Sequence, residues 1–294
     1  MLFDILIYFI VFVSGLFIGS FLNLVSDRLE KGGDVLFGRS ACDFCKTELS
    51  WRELIPIVTF LLQKGKCAKC GKKLSLYHPF SELMTGLVFL SFAYFVKLPL
   101  NLTLLTWGLF FFYIVLFSFF LIIFLSDLKF MIIPDKVVIP AIVFSTLSVL
   151  GSVAFYSYDL YKQLSSSEFG VYLIKAGFLK FHALLVLRNA GMSFAGAFGI
   201  SLFFLLLIFL TKGRGMGGGD VKLGFLIGLV NGFPLSVVAI FLGFLIGAMY
   251  SLLLVLFKKK SLKGTIPFGP FLIIGSYLTV FFGNFLFEWY LRLL

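Results

Sequence analysis

Two aspartates and four cysteines are the residues of this 294-residue chain whose type and spacing could do chemistry. Asp127 ends an apolar run in Phe124-Leu125-Ser126-Asp127-Leu128-Lys129. Asp220 opens another, within Gly215-Met216-Gly217-Gly218-Gly219-Asp220-Val221-Lys222-Leu223. Charges are costly within apolar spans, so carboxylates at these positions are functional candidates by default. Two carboxylates brought close cannot both ionise cheaply; they share a proton and their titrations split. One can then act as base on a water while the other hydrogen-bonds the attacked carbonyl, which is aspartic-protease chemistry and needs no metal. Gly217 and Gly219, with their neighbours, would let the backbone bend and approach a peptide closely. The stretch lacks the Gly-Lys-Ser/Thr ending of a phosphate loop. A single isolated aspartate here would be read as an interfacial charge ending a helix. Asp135, after Ile133-Pro134, fits helix capping.

The cysteines form two Cys-x-x-Cys pairs, Cys42/Cys45 and Cys67/Cys70, with 21 residues between them. Two thiolates two residues apart can grip one side of a zinc ion, and two such pairs complete a tetrahedral, closed and therefore structural site. The interval lies just beyond the usual ribbon range of about 15–20 residues. Disulfides or redox thiols are the alternative, and a cytoplasmic location disfavours persistent disulfides.

The elements that position these groups must be membrane helices. The chain is 60% hydrophobic and 13% charged, with a mean hydropathy of +1.07, whereas soluble domains carry about 25% charged residues. Apolar spans occur near 3–26, 79–97, 101–126, 137–157, 191–211, 221–232, 234–257 and 270–290. The expected fold is an all-α polytopic membrane protein of about eight transmembrane helices with a small cytoplasmic zinc-binding domain. The expected divisions are a first helix in 1–26, a four-cysteine domain in 27–78 and a membrane domain in 79–294. The first span is too long for a cleaved signal peptide and has no preceding positive charge. If 27–78 is cytoplasmic, most of the 25 Lys and Arg fall on that side, leaving Lys97, Lys162, Lys175, Lys180, Arg188 and Arg292 opposite. That is the positive-inside bias, and it accounts for the net charge of +11 without nucleic acid. Both termini then lie outside the cytoplasm, and both aspartates lie at cytoplasmic helix ends. Within the insertion 158–190, the stretch 170–187 reads as an amphipathic helix on the outer interface. If it spanned instead, everything after it would reverse.

Taken together, these residues resemble the type IV prepilin peptidases, membrane aspartic proteases with a Gly-x-Gly-Asp motif. The resemblance rests on Gly19-Ser20-Phe21-Leu22-Asn23, Arg39-Ser40-x-Cys42-x-x-Cys45, Leu49-Ser50-Trp51, Gly65-Lys66-Cys67-x-x-Cys70, and Glu82-Leu83-x-Thr85-Gly86. It continues through Asp127 with Ile133-Pro134-Asp135, Gly217-x-Gly219-Asp220-x-Lys222-Leu223, and Pro267-Phe268-Gly269-Pro270. It departs at Asp43, where the family usually has Pro, at His78, where Tyr is common, and in the length of 158–190. The resemblance implies removal of the basic leader of prepilins or pseudopilins after a glycine, at the cytoplasmic face of the bacterial inner membrane. Asp127 and Asp220 would be the catalytic pair, with Gly217, Gly219 and Lys222 supporting the loop. Members with the cysteine domain are commonly bifunctional and then methylate the new N-terminal amine, using S-adenosylmethionine.

Methyl transfer rests on that resemblance alone, so a peptidase without it stays open, as does a proton-coupled transporter. Asn23 and Glu82 could cross-bond helices or line a substrate groove; Glu82 and Gly86 could also belong to a methyl-transfer site. Trp51 is expected to pack the zinc domain, and Lys258, Lys259 and Lys260 to anchor topology near anionic lipid. His78 and His182 have no clustered partners and are assigned no metal.

Overall fold

A computed structural model describes residues 2–31, 40–42, 44–100, 103–213, 215–257 and 266–293. The chain divides into two compact units, Met1–Phe130 and Met131–Leu294.

In the first unit, α1 (Leu2–Lys31), α3 (Tyr77–Phe95) and α4 (Leu104–Phe130) are the long helices. Between α1 and α3 run a 3-10 turn at Trp51–Leu54 and the short α2 (Val58–Leu62). Small residues set the α1–α3 contact. A Cβ on Gly15 would stand 2.8 Å from the Gly86 Cα, and one on Gly19 would stand 2.7 Å from the Thr85 hydroxyl oxygen. Close backbone approach of this kind drives helix association where lipid is as apolar as the side chains. Asn23 and Ser81 are hydrogen-bonded across this seam at 2.6 Å, so Asn23 cross-bonds helices. Against the pair, α4 contributes Phe117 and Phe120, fully buried beside Phe92, whose ring stacks on Tyr113 at 4.8 Å.

The second unit contains α5 (Asp135–Ser165), α6 (Glu168–Lys175), α7 (Phe178–Leu210), α8 (Gly218–Asn231), α9 (Leu235–Leu256) and α10 (Gly269–Leu291). Glycines again set the pairs. A Cβ on Gly196 of α7 would lie 2.8 Å from the Gly228 carbonyl of α8, and one on Gly243 of α9 would lie 3.1 Å from the Leu272 Cα of α10. Asn231 donates to Ser276 at 2.7 Å, fastening the end of α8 to α10.

Every expected apolar span coincides with a helix. Six of them, α1, α4, α5, α7, α9 and α10, are long and apolar enough to cross a membrane. The other two are α3, of 19 residues with Glu82 inside it, and α8, of 14 residues. The insertion differs from expectation. Residues 170–187 do not form one surface helix, because Gly177 adopts a left-handed φ of +85° that ends one helical stretch before α7 begins. Most of the inserted residues instead lengthen α5 to 31 residues and α7 to 33. At 1.5 Å per residue each is about 45–50 Å long, more than the roughly 30 Å of a hydrocarbon core.

Candidate active site and metal centre

Asp220 is the third residue of α8. Its Oδ2 accepts the N–H of the N-cap residue Gly217 at 3.0 Å, while its own N–H donates to the Gly217 carbonyl at 3.1 Å. A first-turn carboxylate also faces the positive end of the helix dipole. The side chain is therefore fixed by its own helix start. The preceding glycines differ in how closely they are packed. A Cβ on Gly219 would sit 3.0 Å from the Ile133 Cβ, whereas Gly218 has open space around it. Lys222, two residues on, donates to Asp135 at 2.6 Å and ties α8 to the first turn of α5. Asp135 is thus not the cap expected from its position. The N-cap is Pro134, and Asp135 is the following residue, held by Lys222.

Asp127 lies in the first unit, 5% exposed, in the last turn of α4. Around it the helix ends are cross-linked. Lys129 donates to Asp27 of α1 at 2.6 Å and lies over the Tyr77 ring, 5.4 Å from its centroid. The Tyr77 hydroxyl donates to the Leu125 carbonyl at 3.3 Å.

The cysteines meet as their spacing implies. Their sulfur atoms lie within 4.8 Å of one another, and none is in a disulfide. Each pair sits in a matching turn. The Cys42 N–H donates to the Thr47 carbonyl and that of Lys46 to Cys42; likewise the Cys67 N–H donates to Lys72 and that of Gly71 to Cys67. Lys46 and Gly71 have positive φ, which closes the turns. Thr47, by its hydroxyl and its N–H, holds the Cys45 thiol down to about 6. The Lys72 N–H draws Cys70 the same way, but burial and the neighbouring thiols outweigh it and push Cys70 up to about 11. A cluster that keeps some protons because thiolates repel is one a divalent cation would fill by displacing them. The donor set and its closeness fit a tetrahedral metal.

What joins the two turns was not legible in the sequence. Ile57 holds φ at +58°, a strained value for a β-branched residue. Its N–H is accepted by the Glu82 carboxylate at 2.8 Å. Glu82 is 7% exposed and Asn23 3%, and both line a cavity of about 360 Å³ between α1, α3 and the cysteine segment. Gly86 does not share that cavity; it packs against Phe12, Gly15 and Leu16 of α1. His78 lines the cavity, while the Nδ1 of His182 is buried with no hydrogen-bond partner in the second unit. Trp51 is 71% exposed, so it does not form the interior of the cysteine segment as expected. Arg39, Asp43, Lys258, Lys259 and Lys260 lie outside the described residues.

Comparison with known proteins supplies what geometry alone does not. Residues 13–96 match the bacterial peptidase A24 N-terminal domain, and residues 114–252 match the type IV leader peptidase family. A prepilin leader peptidase/N-methyltransferase of Bacillus subtilis is 31% identical over 284 residues, covering 97% of this chain and 98% of that protein. Proteins of the same description from Pseudomonas aeruginosa and Aeromonas salmonicida are each 27% identical, over 95% and 97% of this chain and 91% and 94% of theirs. No solved structure matches.

Proposed function

The chain belongs to the type IV leader peptidase family, and on that premise we propose that it is a multi-pass membrane aspartic endopeptidase and N-methyltransferase acting on prepilins or pseudopilins. It cuts the basic leader after glycine, at the cytoplasmic face of the bacterial inner membrane. The near full-length similarity to prepilin leader peptidase/N-methyltransferases carries this reading and replaces the transporter alternative.

Asp127 and Asp220 act as the acid–base pair. One draws a proton from water as that water attacks the glycine carbonyl, while the other, protonated, donates to the carbonyl oxygen; on collapse the first gives its proton to the leaving amine and the second recovers its own from the gem-diol. Both aspartates occupy helix ends, one in the last turn of α4 and one in the first turn of α8. A prepilin has its charged leader in the cytosol and its apolar helix in the bilayer, so its scissile bond lies at that interface. Eight helices cross the membrane in this reading. Here α3 tolerates Glu82 through its partner Ile57, and α8 is short because its first turn stands at the interface.

Cys42, Cys45, Cys67 and Cys70 hold a structural zinc ion that fixes the 40–74 segment. The methyl donor is S-adenosylmethionine. Bound, it would supply the methyl group to the new N-terminal amine. Among the described residues, those lining the cavity beside Glu82 fit such a ligand.

The test is cleavage of a purified prepilin in detergent by wild type, Asp127→Ala and Asp220→Ala, with mass spectrometry of the product. Cleavage after glycine by the wild type alone is expected, with a gain of one methyl group when S-adenosylmethionine is added. An uncut prepilin with folded wild type, or full activity in either variant, would overturn the reading.

A further inference from the structure

The cavity of the first unit has an unusual lining for a membrane protein. Beside Asn23 and Glu82 it presents Asp27, Arg28, Phe60 and Gln63. Its volume of about 360 Å³ falls in the small-molecule range of roughly 300–1,000 Å³. We propose that this cavity is the S-adenosylmethionine site, with the Glu82 carboxylate as counter-charge to the sulfonium; the assignment rests on the methyl-transfer reading above.

Three observations support it. The first is chemical complementarity. The ligand combines a cationic sulfonium and ammonium, a carboxylate, and a flat base with hydrogen-bonding edges. The lining supplies acids for the cations, Arg28 for the carboxylate, a phenyl face for the base, and two amides. Glu82 is an acid held almost out of water, a costly arrangement that a cationic ligand offsets. An ionised carboxylate has about four acceptor positions, so the Ile57 N–H and the Ser20 hydroxyl do not exhaust it.

The second observation is position. Asp27 both lines the cavity and binds Lys129, which follows Asp127 by two residues on α4. The cavity therefore adjoins the helix end where the new amine is made. The third is construction. One wall is the segment carrying Cys42 and Ile55–Phe60, which the cysteine cluster and the Glu82–Ile57 bond hold in place. This gives the metal centre a task in methylation without placing it at the reaction. A leader peptide of several residues would need an extended groove, not a chamber whose acid and amide are almost fully buried.

The experiment uses the full chain in detergent. Ultraviolet crosslinking with radiolabelled S-adenosylmethionine is mapped by mass spectrometry. Equilibrium binding of S-adenosylmethionine and of its neutral product S-adenosylhomocysteine is measured for wild type and Glu82→Gln. The amide keeps the shape and can still accept from Ile57. The crosslink should map to residues 20–28 or 53–63. Glu82→Gln should weaken the sulfonium ligand by at least about tenfold, the worth of a charge-assisted contact, and the neutral thioether much less. Equal weakening of both ligands would overturn the counter-charge role. A crosslink in the second unit, or displacement of S-adenosylhomocysteine by a synthetic leader peptide, would overturn the site. If wild type methylates cut prepilin yet crosslinks elsewhere, only the site fails. If it neither methylates nor binds the donor, the methyl-transfer reading fails and the site with it.

Discussion

At the scale of single residues, Asp220, proposed as one of the catalytic pair, is held by its own helix start. Its bond to the Gly217 N–H would be kept by an amide, so Asp220→Asn should preserve the helix start. Cleavage should nevertheless fall by at least about 10²–10⁴-fold, the usual worth of an acid–base group. Thermal unfolding in detergent would show an unchanged midpoint beside the lost rate; a retained rate would remove Asp220 from the chemistry. The glycines before it should separate by position. Gly219→Ala brings a methyl to 3.0 Å from Ile133 and should impair cleavage, while Gly218→Ala enters open space and should not. Comparing kcat for the two variants checks this. Sequence showed four glycines in five residues; only the tertiary structure says which of them carry close contacts.

At the scale of elements, the seams between helices are made by glycine. Gly228 of α8 lies against the backbone of Gly196 and Ala197 of α7. A leucine there must push the helices apart, with a cost of about 1–3 kcal/mol or more. Because α8 carries Asp220, Gly228→Leu should lower both the unfolding midpoint and the cleavage rate. Gly191→Leu, on the same α7 but with nothing near its Cβ position, should change neither. Equal effects from both would show that helix propensity, and not the seam, is being measured. The apolar spans were legible because twenty apolar residues admit few other fates. The insertion was not, since Lys175, Lys180 and His182 suggest a surface helix, yet a left-handed Gly177 breaks that stretch and α7 begins just after it.

At the scale of the whole molecule, the proposed metal and donor sites would be linked through the wall that the cysteine segment forms. Purified protein under reducing conditions should contain about one zinc per chain, as four thiolates in a closed tetrahedral site require. Removing it with a chelator, or by Cys67→Ser, should release the 40–74 segment from its turns. Methyl transfer and donor binding should fall far more than leader cleavage, since Asp127 and Asp220 lie on helices that the metal does not organise. Metal analysis with parallel cleavage and methylation assays reads this. Cleavage lost in step with methylation would mean that the cysteine segment also supports the peptidase.

The sequence by itself determined the membrane class, the helical spans, the four-thiol cluster and the family. Each rests on a local or periodic signal: long apolar runs, paired Cys-x-x-Cys turns, and motifs in a fixed order. Tertiary structure alone decided that Glu82 accepts from a strained Ile57 25 residues away in sequence, that Gly86 belongs to a helix seam, and that Asp135 pairs with Lys222 across 87 residues. It also decided that Trp51 stays exposed. These are questions of which faces meet after the chain has folded back. Residue type sets what a side chain can do, but a partner tens of residues distant leaves no mark in the local pattern.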